Sequence, residues 1–480
     1  MNWFKIIFTT GVIFVAVILI AGFGCKASDT SGGAAVSNEK IELNYWRLWD
    51  DSAVFTDIIK AYESEHPNIT IKYKKLDQNE YEEEVLSALA SGQGPDMWSI
   101  HNTWMPRHVD KLAPLPEKSM VSYTTQKSGC KEVKVPTTAT QMTVNEYKNT
   151  FPEVAQDDFL ATIDTKDEEG SAIQKEVIMG IPLSIDTLAL YYNKDLFNSA
   201  VIARPPTTWE EFMDFVQELT ETDRDGNITK SGAALGTASN LNGGENINRA
   251  VDILSLLMLQ TGTQMVNDTK TAATFNQSLE DNNGEKHYSG LEALRFYTDF
   301  ANSRKTVYTW TPRMDHSIDS FTSGKVAMML NYSYQDAAIK DKAPNLNYGI
   351  AQVPQPKDAS FDVNFANYWG EVVSKNSEHV TEAWDFLQYL GEAENSKIYV
   401  ESTNRPAAHR DLIEAQKDDA FLGAFAKQTL SAKSWYQIDP ESIEVIFKEM
   451  IDSVVLAEKE PDQAINDAAT QVTVLMRSSE

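Results

Sequence analysis

The sequence predicts an α/β protein of two domains, and three observations predict it. Strand and helix patterns alternate strictly over residues 41–100. After the leading segment about 440 residues remain, too many for one core. Inner runs such as "LALYY" and "KVAMMLN" are apolar at successive positions, as strands buried on both faces are.

"IELNYW", Ile41 to Trp46, alternates apolar and polar residues and reads as a strand. Phe55, Ile58, Ile59 and Tyr62 then fall at helical spacing, and Pro67 stops that helix. "ITIKYKKL" is a second strand. In "NEYEEEVLSALASG", Asn79 caps a helix whose Tyr81, Val85 and Leu89 share a face, and Gly92 ends it. "DMWSI" is a third strand. This βαβαβ order demands a parallel sheet with right-handed crossovers. Ligands of such sheets sit beyond the carboxyl ends of the strands. Here those ends carry Arg47, Trp49, Asp50 and Asp51, and then His101, Asn102 and Trp104.

From Pro114 to Met179 the pattern weakens, and polar runs bracket a possible helix around Asn145 to Leu160. An elaboration on the first domain is expected there. "TTWEEFMDFVQELTE" is a helix with Thr208 and Glu211 placed as a capping box. Asp225-Gly226 signals a hairpin. Its glycine is misplaced for a calcium loop and the terminal Glu is missing, so no metal is expected. "VDILSLLMLQTG" is apolar almost all round, as a central buried helix would be. "KVAMMLNYSY" is a buried strand with a polar-aromatic end, "NYGIAQVPQP" another strand, and "NYWGEVVS" opens one more. "TEAWDFLQYL" is helical, and four further helical segments fill Asp411 to Met476.

The chain starts with one early charge, Lys5, and an apolar or small run from Ile6 to Gly24 that ends at Cys25. That is the form of an export signal. Residues 1–24 are read as signal peptide and 25–38, "CKASDTSGGAAVSN", as a flexible tether. Two readings stand open: a lipidated Cys25, with Gly22 where a large aliphatic is usual, or a retained apolar anchor. Either one places the folded part outside the cytoplasmic membrane. With Cys130 as the one cysteine besides Cys25, no intrachain disulfide is expected. A net charge of -28 argues against nucleic acid and anionic surfaces as partners. No phosphate loop, zinc-protease or serine-elbow motif is found, and no cofactor is implied.

The pieces "HPNITIKYK", "GQGPDMW", "GIPLSIDTLALYYNKDLF", "TTWEEF", "SGKVAMMLNYSY", "YGIAQVP", "EAWDFLQYL" and "STNRPAA" recur in one order from about residue 40 to 410. In that order the chain resembles family 1 of the bacterial extracellular solute-binding proteins of ABC importers, the group that includes maltose-binding protein. It departs from the family at Gly22, in the long segment 115–175, and in "NYSYQ", where relatives carry glycine and tryptophan. The resemblance implies a type II periplasmic-binding-protein fold: two α/β lobes, strands that cross between them, and a ligand in the cleft. Residues 39–185 with 368–403 would form the N-terminal lobe, and 186–367 with 404–480 the C-terminal lobe. The crossings would fall at Ser184 to Asp186, Phe365 to Trp369 and Thr403 to Pro406. The resemblance also makes Asp186 a cleft acid, Tyr334 a stacking aromatic, and Arg405 a ligand donor or a hinge ion-pair partner.

Sugar recognition needs aromatic faces and convergent polar groups, because an unmatched buried donor costs about 1–3 kcal/mol. Trp49, Trp104, Trp369 and Trp435 fall at strand ends, where a ring faces either the cleft or a core. Arg47, Trp49, Asp50, His101, Asn102, Asp186, Tyr334, Trp369, Arg405 and Trp435 are the candidate ligand-binding residues. Asp50 and Asp51 could equally cap the next helix. The expected function is capture of a small solute, a carbohydrate above all, for delivery to the permease subunits of an ABC importer, without chemistry. The alternatives are a sensor ectodomain and an extracellular glycoside hydrolase acting through Asp50 and Asp186.

Overall fold

A computed structural model describes residues 40–77, 80–117, 119–128, 131–139, 141–166, 170–280 and 284–478. The export signal, the tether, Cys25, Cys130 and the expected cap Asn79 lie outside the described residues. Among the described residues no helix is long and apolar enough to cross a membrane.

The βαβαβ start folds as its periodicity requires. Strands Ile41–Leu48, Ile69–Leu76 and Met97–His101 run parallel, with Ile41–Leu48 in the centre. Helices Ser52–Glu65 and Tyr81–Ala90 bury Phe55, Ile58 and Tyr62, and Tyr81, Val85 and Leu89. Two strands from far along the chain complete this sheet. Trp369–Val373 pairs antiparallel to Met97–His101, and Ile181–Pro182 pairs on its other side. Trp369 thereby lies opposite His101, at the edge where the parallel strands end.

A second five-stranded sheet has the order Glu221–Thr222, Ile228–Ala233, Val326–Asn331, Ala189–Asn193, Tyr348–Ala351. All six residues of Val326–Asn331 are buried, and helix Ala250–Gln260 is buried on nearly every side. Each sheet anchors its own hydrophobic core, and the chain is a two-lobed α/β fold.

A three-stranded sheet joins the lobes: Ala432–Lys433, Asn364–Asn367 and Asp186–Thr187. Asn367 pairs with Asp186 and Ala366 with Thr187, so two crossings run side by side. The buried Gln428 stitches them to the second lobe. Its amide nitrogen donates to Thr187 Oγ1 at 3.0 Å and Leu188 O at 2.9 Å, and its oxygen accepts from Val353 N at 2.7 Å. The return expected at 403–406 falls later. Helix Ala393–Thr403 ends on Asn404 at φ 52°, and Ala407 bridges back to Ser184. Ala407, Ala408 and Ile413 therefore stay in the first core; Phe425 lies in the second, Ala426 and Ala432 still touch the first, and from Trp435 on the buried residues belong to the second.

The weak segment resolves into two antiparallel hairpins, Ser119–Ser128 with Lys131–Ala139 and Leu160–Lys166 with Ala172–Ile178. The helix expected over 145–160 is two helices, Val144–Thr150 and Glu153–Phe159, parted at Pro152. Thr208 accepts from Glu211 N as a cap should. The Glu211 carboxylate turns instead to Thr207 N and Arg204, so only half the box forms. Gly226, at φ 85°, makes the expected hairpin turn.

Candidate functional site

A cavity of about 390 Å³ lies between the lobes. The end of Ile41–Leu48 supplies Arg47, Leu48 and Trp49, and the start of Trp369–Val373 supplies Trp369. The crossings supply Ser184, Asp186 and Asn367. From the second lobe come Arg249, which precedes helix Ala250–Gln260, and Tyr334, which follows Val326–Asn331.

Backbone strain gathers here. Trp49 (φ 70°) and Arg249 (φ 63°) both line the cavity in the left-handed region, and Asn404 (φ 52°) immediately precedes Arg405. Non-glycine residues are held this way at a cost of about 1–3 kcal/mol each, which marks places where the fold over-determines a side chain's position. Trp49 remains 44 % exposed and Tyr334 45 %, faces a ligand can cover.

Behind the first-lobe wall sits a buried charge network. Arg47 donates from Nε to Ser99 Oγ at 2.9 Å and from Nη2 to the Tyr399 hydroxyl at 3.3 Å. Nη2 is also ion-paired with Glu371 at 3.1 Å and Asp50 at 3.3 Å. Glu371 accepts from the Tyr45 hydroxyl and Ser99 Oγ, both at 2.8 Å. Arg405 lines the cavity and pairs with Asp50 at 3.0 Å, the ion-pair partner of its two expected roles.

Asp186 lies where the resemblance places it, but its oxygens are engaged. Oδ2 accepts from Ser333 N at 2.9 Å and Ser333 Oγ at 2.7 Å, and Oδ1 from Thr187 N at 2.9 Å. Burial pushes its pKa up to about 6, with the Ser333 bonds holding the rise in check. Through Ser333 it fixes the loop that carries Tyr334.

The remaining candidates divide. Asp50 stands off the cavity wall, taken up by Arg405, Arg47 and Tyr399. It does not cap the next helix, and Asp51, at the N-cap position, makes no side-chain cap and pairs with Lys75. His101 is one layer back, its Nε2 3.1 Å from Asn367 Oδ1 and its ring 5.2 Å from that of Trp369. Burial drives its pKa down to about 4, leaving it neutral.

Asn102 and Trp435 are not in this cavity. Asn102 turns to Asp158 at 3.1 Å, and Trp435 is buried in the second core against Phe447, with its indole N–H on Ser255. Both line a separate, more open cleft of about 880 Å³. Sequence reading missed Arg249, Ser99, Asn367, Tyr399 and Glu371. The one overlooked signal for Glu371 was a lone charge inside the buried strand "WGEVV".

Residues 57–421 match the family model described as bacterial extracellular solute-binding protein. A Brucella abortus chain with a provisional binding-protein name is 23 % identical over 432 residues, covering 88 % of this chain and 90 % of that one. The sn-glycerol-3-phosphate-binding periplasmic protein UgpB of Escherichia coli K12 is 23 % identical over 322 residues, covering 63 % of this chain and 68 % of UgpB. Among solved structures, the cyclic α-maltosyl-1,6-maltose binding protein of Arthrobacter globiformis superposes with a TM-score of 0.68 at 18 % identity, covering 91 % of this chain and 99 % of that one. The fold is that of the type II periplasmic sugar-binding proteins.

Proposed function

The chain belongs to the bacterial extracellular solute-binding proteins, and from that premise we propose that it captures a sugar or short oligosaccharide between its lobes and hands it to an ABC importer. The observation that carries this reading is the cavity wall itself. Trp49 and Trp369 from one lobe and Tyr334 from the other offer ring faces among Arg, Asp, Asn and Ser side chains. Flat rings take the C–H face of a sugar while convergent polar groups take its hydroxyls. The Arthrobacter neighbour, whose name gives a maltosaccharide ligand, supports the same class.

Ligand contacts from both lobes would favour the closed form, which the permease subunits would read. Tethering through Cys25 or the apolar segment before it would keep the protein beside them. The chain acts in this reading as a carrier and not as a hydrolase. Asp50, the acid a two-carboxylate mechanism would need opposite Asp186, is bound by two guanidiniums.

Thermal shift and tryptophan fluorescence across mono- and oligosaccharides test the proposal. A matching sugar should raise the melting temperature and be recovered unchanged. Trp369→Ala should weaken its binding by about tenfold to a hundredfold while the unliganded variant melts within a few degrees of the parent. Undiminished binding by that variant would remove this cavity from consideration.

A further inference from the structure

Two guanidiniums on the cavity wall keep donors that no protein acceptor meets within hydrogen-bond distance. Arg47 is 4 % exposed, and Glu371, Asp50, Ser99 and Tyr399 occupy its Nε and Nη2, yet no protein acceptor reaches Nη1. A buried guanidinium nitrogen without an acceptor is costly, more so than a neutral donor. Arg249 donates from Nε to the Tyr334 hydroxyl at 2.9 Å. Its nearest carboxylate, Asp252, is 3.8 Å from Nη1, beyond hydrogen-bond reach. The lining carboxylate and side-chain amide oxygens, by contrast, are taken. Ser333 and Thr187 fill both oxygens of Asp186, and His101 holds Asn367 Oδ1.

Charge runs the same way. Arg47, Arg249 and Arg405 line the cavity, and Asp186 is the one carboxylate among the lining residues. Asp50 and Glu371, which balance Arg47 and Arg405, stand off the wall. Each hydroxyl of a neutral sugar brings an O–H that itself needs an acceptor, whereas an ionised carboxylate or phosphate only accepts. Guanidinium groups bind such oxyanions in pairs of short, charge-assisted bonds.

We propose that the solute carries an oxyanion, a carboxylate or a phosphate on a small polyhydroxylated frame, which docks on Arg47 Nη1 and Arg249. The inference rests on the reading of this cavity as the solute site. The aromatic walls hold the frame, and the two guanidiniums, one from each lobe, hold the charge. Binding the acid therefore draws the lobes together. Arg47 is the preformed half of the clamp; Arg249 completes it.

Calorimetry on the full chain with matched probes tests this: galactose against galacturonate, glucose against glucose 6-phosphate, and glycerol against sn-glycerol 3-phosphate. In at least one pair the acid should bind about tenfold or more tightly than its neutral partner, and its affinity should fall as salt rises. A uronate preference names the carboxylate, and a phosphate preference names the phosphate. Arg249→Gln, at a half-exposed position, should erase most of the acid's advantage while the unliganded variant melts within a few degrees of the parent. Neutral probes that bind as tightly as the acids, in a manner sensitive to Trp369→Ala, would overturn the oxyanion and leave the cavity standing. No binding by any probe, or binding indifferent to Trp369→Ala, would overturn both.

Discussion

The two walls of the cavity are built on different principles. In the first-lobe wall, Arg47 is fixed by partners from four separate stretches of chain, Asp50, Ser99, Glu371 and Tyr399, all nearly inaccessible to water. In the second-lobe wall, Arg249 and Tyr334 hold mainly each other, and both remain accessible. The first wall is organised before any solute arrives, so its donors lose little freedom on binding. The second contributes groups that become fully desolvated only once the lobes close on a ligand, which is where a closing contact gains most.

Removing the charge that anchors each wall should separate the two walls by the largest margin. Glu371→Gln leaves the buried Arg47 without its main counter-charge, and such losses cost about 3–5 kcal/mol. Arg249→Ala removes a partly exposed ion pair already stretched to 3.8 Å and one hydrogen bond to Tyr334, together worth about 1–2 kcal/mol. Denaturant unfolding of both variants measures the difference. Equal costs would mean that the first wall is no more organised than the second.

A smaller effect sharpens the seam between the walls. His101 ties the end of the third strand to Asn367 in the crossing, and burial holds its pKa near 4 instead of 6.5. Between those values the unfolded chain takes up a proton that the native side chain refuses. Stability from this group is therefore complete above pH 6.5 and is lost as pH falls from 6.5 to about 4. Asp186 and Asp158 act oppositely. Burial lifts both from 3.8 to about 6, so each favours the native state as pH falls across that interval. The parent and a His101→Gln variant share the two aspartates, and the difference between their stabilities at each pH isolates the histidine. The variant should lose less stability from pH 6.5 to 4, and parallel curves would refute the assignment.

What could be seen in the sequence followed from local pattern plus one topological rule. A parallel βαβαβ opening put Arg47 and Trp49 at a sheet edge, and reading "NYWGEVVS" as the opening of a strand put Trp369 near its start; all three line the cavity. The same rule named Asn102, which the fold turns toward Asp158, because a strand end gives a position and not a side-chain direction. Trp435 looked like a cleft ring but stacks in the second core, since half-buried and buried tryptophans share one sequence context. The two hairpins of segment 115–175 stayed hidden for a different reason. Their strands mix polar and apolar residues without a sustained alternation, so no strand period stands out. Arg249 lay beyond reach because its cavity position depends on a left-handed backbone set by tertiary packing.

The smallest expected effect concerns Trp49, the ring on the organised wall that nonetheless sits in a strained conformation. At φ 70° a Cβ costs about 1–2 kcal/mol. Glycine removes that cost but gives back about 0.4–1 kcal/mol through the freedom it adds to the unfolded chain. Alanine keeps the strain and loses the same ring. Trp49→Gly should therefore be more stable than Trp49→Ala by up to about 1 kcal/mol, the reverse of the usual order for an extended segment. Both should bind the solute more weakly than the parent, to the same degree, because both lack the indole face. If alanine proves the more stable, Trp49 is not strained in solution. The organised wall would then owe its ring position to packing alone.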